Sequence, residues 1–292
     1  MEQVSAANEE ALEAWNGVLF DRFVQFREIV TTGLGAHGEA ALAARPPEPG
    51  ARVLDVGCGF GDTTRRLAEL IGEAGTAVGV DVAPRFIEAA RSEAEKAGVG
   101  NVDFMAADVE ATEFEQRFDY AFSRFGTMFF ANPVAAMRNV RKALVPGGQL
   151  CMVVWRRKLD NDWLHRAEQV VEDYLDEPEE SDEPRCGPGP FSMADADTTS
   201  QILLNAGFEN IELQRCDIPI TIGRDLDDAV EFVMALGPAG EVIRLAGPDA
   251  ERVRPTIAAA LREALAELDQ SGGVTAAAST WLIGATAPAA AA

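Results

Sequence analysis

Apolar and polar positions divide the chain into segments of two periods. Short apolar runs, bounded by Gly, Pro or Asp, read as buried strands at Arg52 to Val56, Thr76 to Val80, Asn101 to Ala106, Phe118 to Ser123 and Leu150 to Trp155. Between them, apolar residues recur at helical spacing over Asp62 to Ile71, Pro84 to about Ala97 and Pro133 to Leu144. Pro84 suits a first helical turn and Gly98 a stop. Regular alternation of strand and helix predicts an α/β fold with a parallel sheet.

The flanks read differently. Residues 8–35 form a helical lead-in with Trp15, Val18, Leu19, Phe23, Phe26 and Val30 on one stripe, and a second helix from Gly38 to Arg45 ends at Pro46-Pro47. After the fifth strand, residues 156–193 break the pattern: a helix opens at Asp162-Trp163-Leu164-His165 and reaches about Leu175, and Asp176 to Pro190 is an acidic, proline-rich loop or lid. Residues 176–185 read as a solvated acidic segment. A helix over Ala194 to Ala206, capped by Gly207, leads to a sixth strand over Phe208 to Ile222. Asp225 to Leu236 and Ala250 to Gln270 read as two helices, and Ser279 to Ala285 as a last strand.

The chemistry concentrates at Asp55-Val56-Gly57-Cys58-Gly59-Phe60-Gly61-Asp62, where the first strand turns over alternating glycines into a helix. Such a turn admits a ligand close to the backbone and offers it free helix N–H groups. The dinucleotide fingerprint places a third, helix-packing glycine where Asp62 stands here, and a phosphate is poorly served by two nearby aspartates. A ligand with a free ammonium suits Asp55 better. The turn resembles motif I of the class I S-adenosylmethionine (SAM)-dependent methyltransferases. Leu144-Val145-Pro146-Gly147-Gly148 before the fifth strand resembles the turn that follows motif IV in that family, and Ala107-Asp108-Val109 resembles its motif III.

The resemblance implies a doubly wound, seven-stranded, mostly parallel sheet of Rossmann-like type with helical insertions. The domain would run over residues 50–292, interrupted at about 156–193 and 224–272, with residues 1–49 as lead-in or cap. It further implies SAM as cofactor, held by Asp55, Gly57, Gly59, Asp81, Val82, Phe86, Asp108, Val109 and Ser123. Asp81, closing the second strand, suits two ribose hydroxyls in either a SAM or a dinucleotide site. Val82 and Phe86 would flank adenine, with core packing the alternative for Phe86. Asp108 either bonds the adenine amino group or caps the next turn.

The loop Ser123-Arg124-Phe125-Gly126-Thr127-Met128-Phe129-Phe130 lacks an Asn/Asp-Pro-Pro-Tyr-like sequence, which weighs against nucleobase and amide nitrogen as acceptor. With the Trp-Arg after strand five, it resembles the ubiquinone/menaquinone branch of small-molecule methyltransferases. The expected acceptor is therefore small and partly apolar, methylated at oxygen or carbon. Trp15, Arg124, Met128 and Trp163 are the substrate-side candidates, an ion pair to an acid being the alternative for Arg124. His165 is the general-base candidate by intrinsic pKa. The competing functions are an NAD-dependent oxidoreductase and a SAM-binding protein without catalysis.

Charge sharpens the partner list. A net charge of −23, from 25 basic and 48 acidic residues, argues against nucleic acid and anionic membrane as partners. Four cysteines without paired spacing read as reduced thiols in a cytoplasmic protein, and two histidines make a zinc site unexpected. No apolar stretch has transmembrane length and the acidic N-terminus lacks a signal-peptide core. The helices between the sixth and last strands either close the substrate side or mediate a homodimer.

Overall fold

A computed structural model describes residues 9–175 and 187–289. The strands β1 (Arg52–Val56), β2 (Thr76–Asp81), β3 (Val102–Ala106), β4 (Phe118–Arg124) and β5 (Leu144–Trp155) pair in parallel. Two long strands, β6 (Glu209–Gly223) and β8 (Gly273–Thr286), complete the sheet antiparallel, with the two-residue β7 (Asp269–Gln270) beside β8. The order is β3-β2-β1-β4-β5-β8-β6, so the chain reverses its direction of growth between β1 and β4. In open sheets of this type the crevice at that reversal, beyond the strands' carboxyl ends, is where ligands bind.

Eleven α-helices are described: α1 (Glu9–Ala14), α2 (Phe20–Gln25), α3 (Gly35–Ala44), α4 (Asp62–Ile71), α5 (Pro84–Ala97), α6 (Pro133–Ala143), α7 (Asp162–Glu172), α8 (Ala196–Ala206), α9 (Leu226–Ala235), α10 (Gly237–Leu245) and α11 (Pro248–Leu265). Their ends follow local chemistry. Asn132, Asp195 and Asp225 cap α6, α8 and α9 through side-chain oxygens that accept from backbone N–H groups three residues on. Gly98 and Gly207 end α5 and α8 in left-handed conformation.

The pleat of β1 sorts its residues between two cores. Leu54 and Val56 face the larger core, with Met137, Leu150 and Met152, whereas Val53 faces the core under α3 and α4 with Leu67, Ile71 and Phe122. Burial on both faces explains the near-continuous apolar runs of the parallel strands. Pro219 sits in β6, an edge strand where a missing N–H leaves no ladder bond unmade.

Several boundaries differ from expectation. The lead-in is not one helix: π-helical turns at Trp15–Leu19 and Ile29–Gly33 separate its short helices, and Gly17 leaves helical geometry at φ −108° and ψ −115°. Those breaks let the segment bend over the sheet rather than project from it. The Pro146-Gly147-Gly148 turn belongs to β5 as an irregularity, because Gly147 and Gly148 exchange backbone bonds with Ala287. The helix expected to reach Gln270 stops at Leu265, and the last strand begins six residues earlier than Ser279, at Gly273. An additional helix, α10, opens on Gly237-Pro238. The acidic segment 176–185 lies outside the described residues.

Candidate active site

The glycine turn is built by close approach. A Cβ on Gly57 would lie 2.8 Å from the Cα of Gly126, so β1 and the loop after β4 touch there backbone to backbone. Gly57 (φ +71°) and Gly59 (φ +52°) lie in the left-handed region that glycine tolerates. The amides of Gly57 and Cys58 donate to the Val80 carbonyl at 2.8 and 3.1 Å, tying the turn to the end of β2.

Asp81 is fixed by that same turn. Its Oδ2 accepts from the Gly59 amide and its Oδ1 from the Ala83 amide, each at 3.0 Å. Burial raises its pKa, and the amides of Ala83, Gly59 and Val82 pull in the opposite direction. At the end of β3, Asp108 Oδ1 accepts from the Glu110 amide at 2.9 Å, the turn-capping bond, while the residue also lines the cavity. Phe86 is the centre of an aromatic cluster: Phe20, Phe60 and Phe23 meet it at 4.9, 5.0 and 5.9 Å between ring centroids, and Trp15 at 6.5 Å.

These groups open on one cavity of about 560 Å³. Its near end comprises the glycine turn, Asp62, Asp81, Val82, Phe86, Asp108 and Val109. Its far end is apolar, with Met128, Trp155, Trp163, Phe232, Leu236 and Val242. The bent lead-in forms a wall through Trp15, Leu19, Phe23, Val30 and Leu34. Phe125, at φ +60°, stacks on Trp155 at 4.7 Å, and Trp163 stacks on Phe232 at 6.3 Å.

Arg124 joins the lead-in to the glycine turn. Its guanidinium donates to Asp62 Oδ2 at 2.6 Å, to Thr63 Oγ1 at 3.2 Å and to the Val30 carbonyl at 3.2 Å. The ion pair entertained as an alternative for this residue is therefore present, although Arg124 also lines the cavity.

Gly57, Gly59, Asp81, Val82, Phe86, Asp108, Val109, Trp15, Arg124, Met128 and Trp163 thus converge on one cavity. Asp55, Ser123 and His165 do not line it, and the reason is local in each case. The pleat turns Asp55 with Val53 to the face under α4, where Thr64 Oγ1 donates to it at 2.6 Å. Ser123 spends its hydroxyl on the Val56 carbonyl at 2.7 Å, latching β4 to β1. On α7, Leu164 and Glu168, one turn apart, face the cavity, and His165 points elsewhere. Sequence reasoning missed Asp62, Arg22, Glu168 and Glu241 as lining residues. Asp62 was visible as the departure from the dinucleotide fingerprint; the other three carry no local signal.

Burial pushes the Asp55 carboxyl up to about 7, opposed by the Thr64 hydrogen bond. The Cys58 thiol is likewise pushed well up, so it is no thiolate nucleophile. Among the described residues, no group of three or more His, Cys, Asp or Glu side chains is arranged to hold a metal ion.

Comparison with known proteins finds methyltransferases. A family described as a methyltransferase domain matches residues 47–183. Relatives include aklanonic acid methyltransferase DauC of Streptomyces sp. (strain C5), 37% identical over 114 residues that cover 39% of this chain and 52% of that protein. Over residues 47–183, then, the chain is similar to methyltransferase domains. Another methyltransferase relative is the ubiquinone/menaquinone biosynthesis C-methyltransferase UbiE of Shewanella sp. (strain ANA-3), 28% identical over 56% of this chain and 68% of that one. The match to DauC spans about half the length of that relative.

Solved structures carry the same fold. The YcgJ protein from Bacillus subtilis aligns with a TM-score of 0.54 at 18% identity, covering 87% of this chain and 97% of that one. Haemonchus contortus phosphoethanolamine N-methyltransferase 2, in complex with S-adenosyl-L-methionine, aligns at 0.52 and 18% identity over 87% of this chain and 52% of that one. The doubly wound, mostly parallel sheet is thus shared with a methyltransferase of known structure.

Proposed function

We propose that the protein transfers the methyl group of SAM to a small, partly apolar acceptor at oxygen or carbon. The observation that carries this reading is the continuity of the cavity, which runs from the glycine turn and strand-end carboxylates to an apolar chamber. The activities for which DauC and UbiE are named, methylation of aklanonic acid and C-methylation in ubiquinone/menaquinone biosynthesis, support a small-molecule acceptor.

The residues at the near end suit an adenosyl ligand. Asp81 is already oriented by two amides and is our assignment for the ribose hydroxyls. Val82 and Phe86 are assigned to flank adenine, and Asp108 with Val109 to meet its edge. Gly57 and Gly59 let the ligand approach the backbone. A dinucleotide pyrophosphate at the start of α4 would meet Asp62 instead of a bare helix N-terminus, which disfavours the NAD alternative.

When bound, SAM supplies a sulfonium methyl open to in-line displacement. The chain's own contribution is positioning and exclusion of water, for which good orientation supplies roughly 7–11 kcal/mol. Arg124 holds the lead-in over the turn, and Trp15 and Phe129, 4.9 Å apart, close one side of the chamber. His165 is not assigned a role.

No described helix is long and apolar enough to cross a membrane. A cytoplasmic location and a pocket that takes small molecules rather than nucleic acid complete the proposal. Calorimetry with SAM, S-adenosylhomocysteine and NAD is the first test; NAD binding without SAM binding would end this reading. Turnover of labelled SAM against phenols, quinols and fatty acids then separates catalysis from mere retention of the ligand.

A further inference from the structure

The far chamber is mostly apolar, yet three ionisable side chains line it: Arg22, Glu168 and Glu241. The two acids are matched. Glu168 pairs with Lys158, and Glu241 takes both oxygens to Arg244, at 2.8 and 2.9 Å. Arg22 is not. Its Nη1 donates to the Ala235 carbonyl at the end of α9, at 2.8 Å, and it forms no ion pair with a described carboxylate. Burial lowers the Arg22 pKa, the like charges of Arg244 and Arg254 add to that, and Glu241 offsets it in part.

This arrangement is unusual in a chain with 48 acids and 25 bases. The other arginine on the cavity, Arg124, is paired with Asp62. A guanidinium presents five N–H donors in a planar fork, and one carbonyl satisfies only one of them. The ligand that completes such a fork in an apolar chamber is a carboxylate, held by two charge-assisted bonds.

We propose that Arg22 seats a carboxylate of the acceptor, which narrows the substrates to small, largely apolar acids. The inference rests on the methyltransferase reading only in calling that ligand the acceptor. The aromatic pairs Phe125–Trp155 and Trp163–Phe232 contact the ligand's apolar body, and Arg22 fixes its orientation.

The test uses a matched pair of probes, 1-hydroxy-2-naphthoate and its primary amide, titrated into the full chain saturated with S-adenosylhomocysteine. Binding is read by calorimetry and by tryptophan fluorescence. The acid should bind at least about tenfold tighter than the amide. In Arg22→Gln that preference should fall to within about twofold, with the affinity for S-adenosylhomocysteine unchanged as the check on folding. Arg22→Lys should retain an intermediate preference, since it keeps the charge and loses the fork. If Arg22→Gln does not fold, the wild-type preference and the lysine variant decide. Equal or absent binding of the acid in the wild type, or a preference that survives Arg22→Gln, overturns the proposal. Failure to bind S-adenosylhomocysteine sinks the methyltransferase reading instead, and the same comparison in the cofactor-free protein still judges Arg22.

Discussion

Arg124 and Asp62 meet at 2.6 Å across the mouth of the glycine turn, one at the end of β4 and the other at the first position of α4. Because the same guanidinium reaches the Val30 carbonyl, the pair fastens the bent lead-in to the glycine-turn end of the cavity. Arg124→Ala removes three hydrogen bonds and leaves Asp62 without its partner. We expect a loss of about 1.5–3 kcal/mol in stability, read from urea midpoints. Susceptibility of the lead-in to limited proteolysis should rise. An unchanged midpoint would show that the strap carries no load.

Asp81 should matter for affinity more than for folding. Asp81→Ala should weaken SAM binding by about 1–3 kcal/mol through lost charged hydrogen bonds. Calorimetry reads this directly, and unchanged affinity would refute the ribose assignment.

Gly57→Ala tests the backbone contact. The new methyl would sit 2.8 Å from Gly126 Cα, at a residue with φ +71°, and neither neighbour is a flexible side chain. Strain of about 1–3 kcal/mol is expected, with SAM binding reduced in parallel as the turn shifts. A variant as stable as the wild type, with normal affinity, would mean that the β1 and β4 loops separate freely.

Asp55 gives the unliganded protein a pH signature. Its carboxyl is raised from 3.8 to about 7, so the native state binds a proton more tightly than the unfolded chain does. Its stabilising contribution is complete below the unfolded value and is lost as pH rises through about 7, roughly 4 kcal/mol at most. Asp55→Asn keeps an acceptor for Thr64 and removes the ionisation. Urea midpoints from pH 5 to 8 should fall less steeply in the variant than in the wild type. Parallel curves would assign the slope to other groups, Asp81 first among them.

The parallel half of the fold was legible because burial on both faces writes itself as apolar runs punctuated by glycine and proline. Arg52–Val56 and Asp62–Ile71 were placed to the residue for that reason, and the helix from Pro84 ends at Ala97, about where it was expected. The antiparallel edge was harder. In β6 most residues are partly exposed, and β8 is rich in alanine, so its start at Gly273 has no contrast to mark it.

At the site, glycines and strand-end acids announced themselves by spacing. What spacing does not reveal is the direction of a side chain. Asp55 and Asp81 look alike in the sequence, yet Asp55 lies level with Gly79, two positions short of Asp81, so the first stays under α4 and the second reaches the cavity at the strands' carboxyl ends. His165 stood out by residue type alone, and the helix turned it away. Arg22 was one polar residue in a helical lead-in, and it faces the cavity through tertiary packing.

The helices α9, α10 and α11 hang between β6 and β8, two strands already zipped along most of their length. A graft at that point leaves the register of the parallel strands untouched. Exchanging residues 226–265 can therefore reshape the wall of the cavity that Phe232, Leu236 and Val242 form, with the glycine-turn end left as it stands.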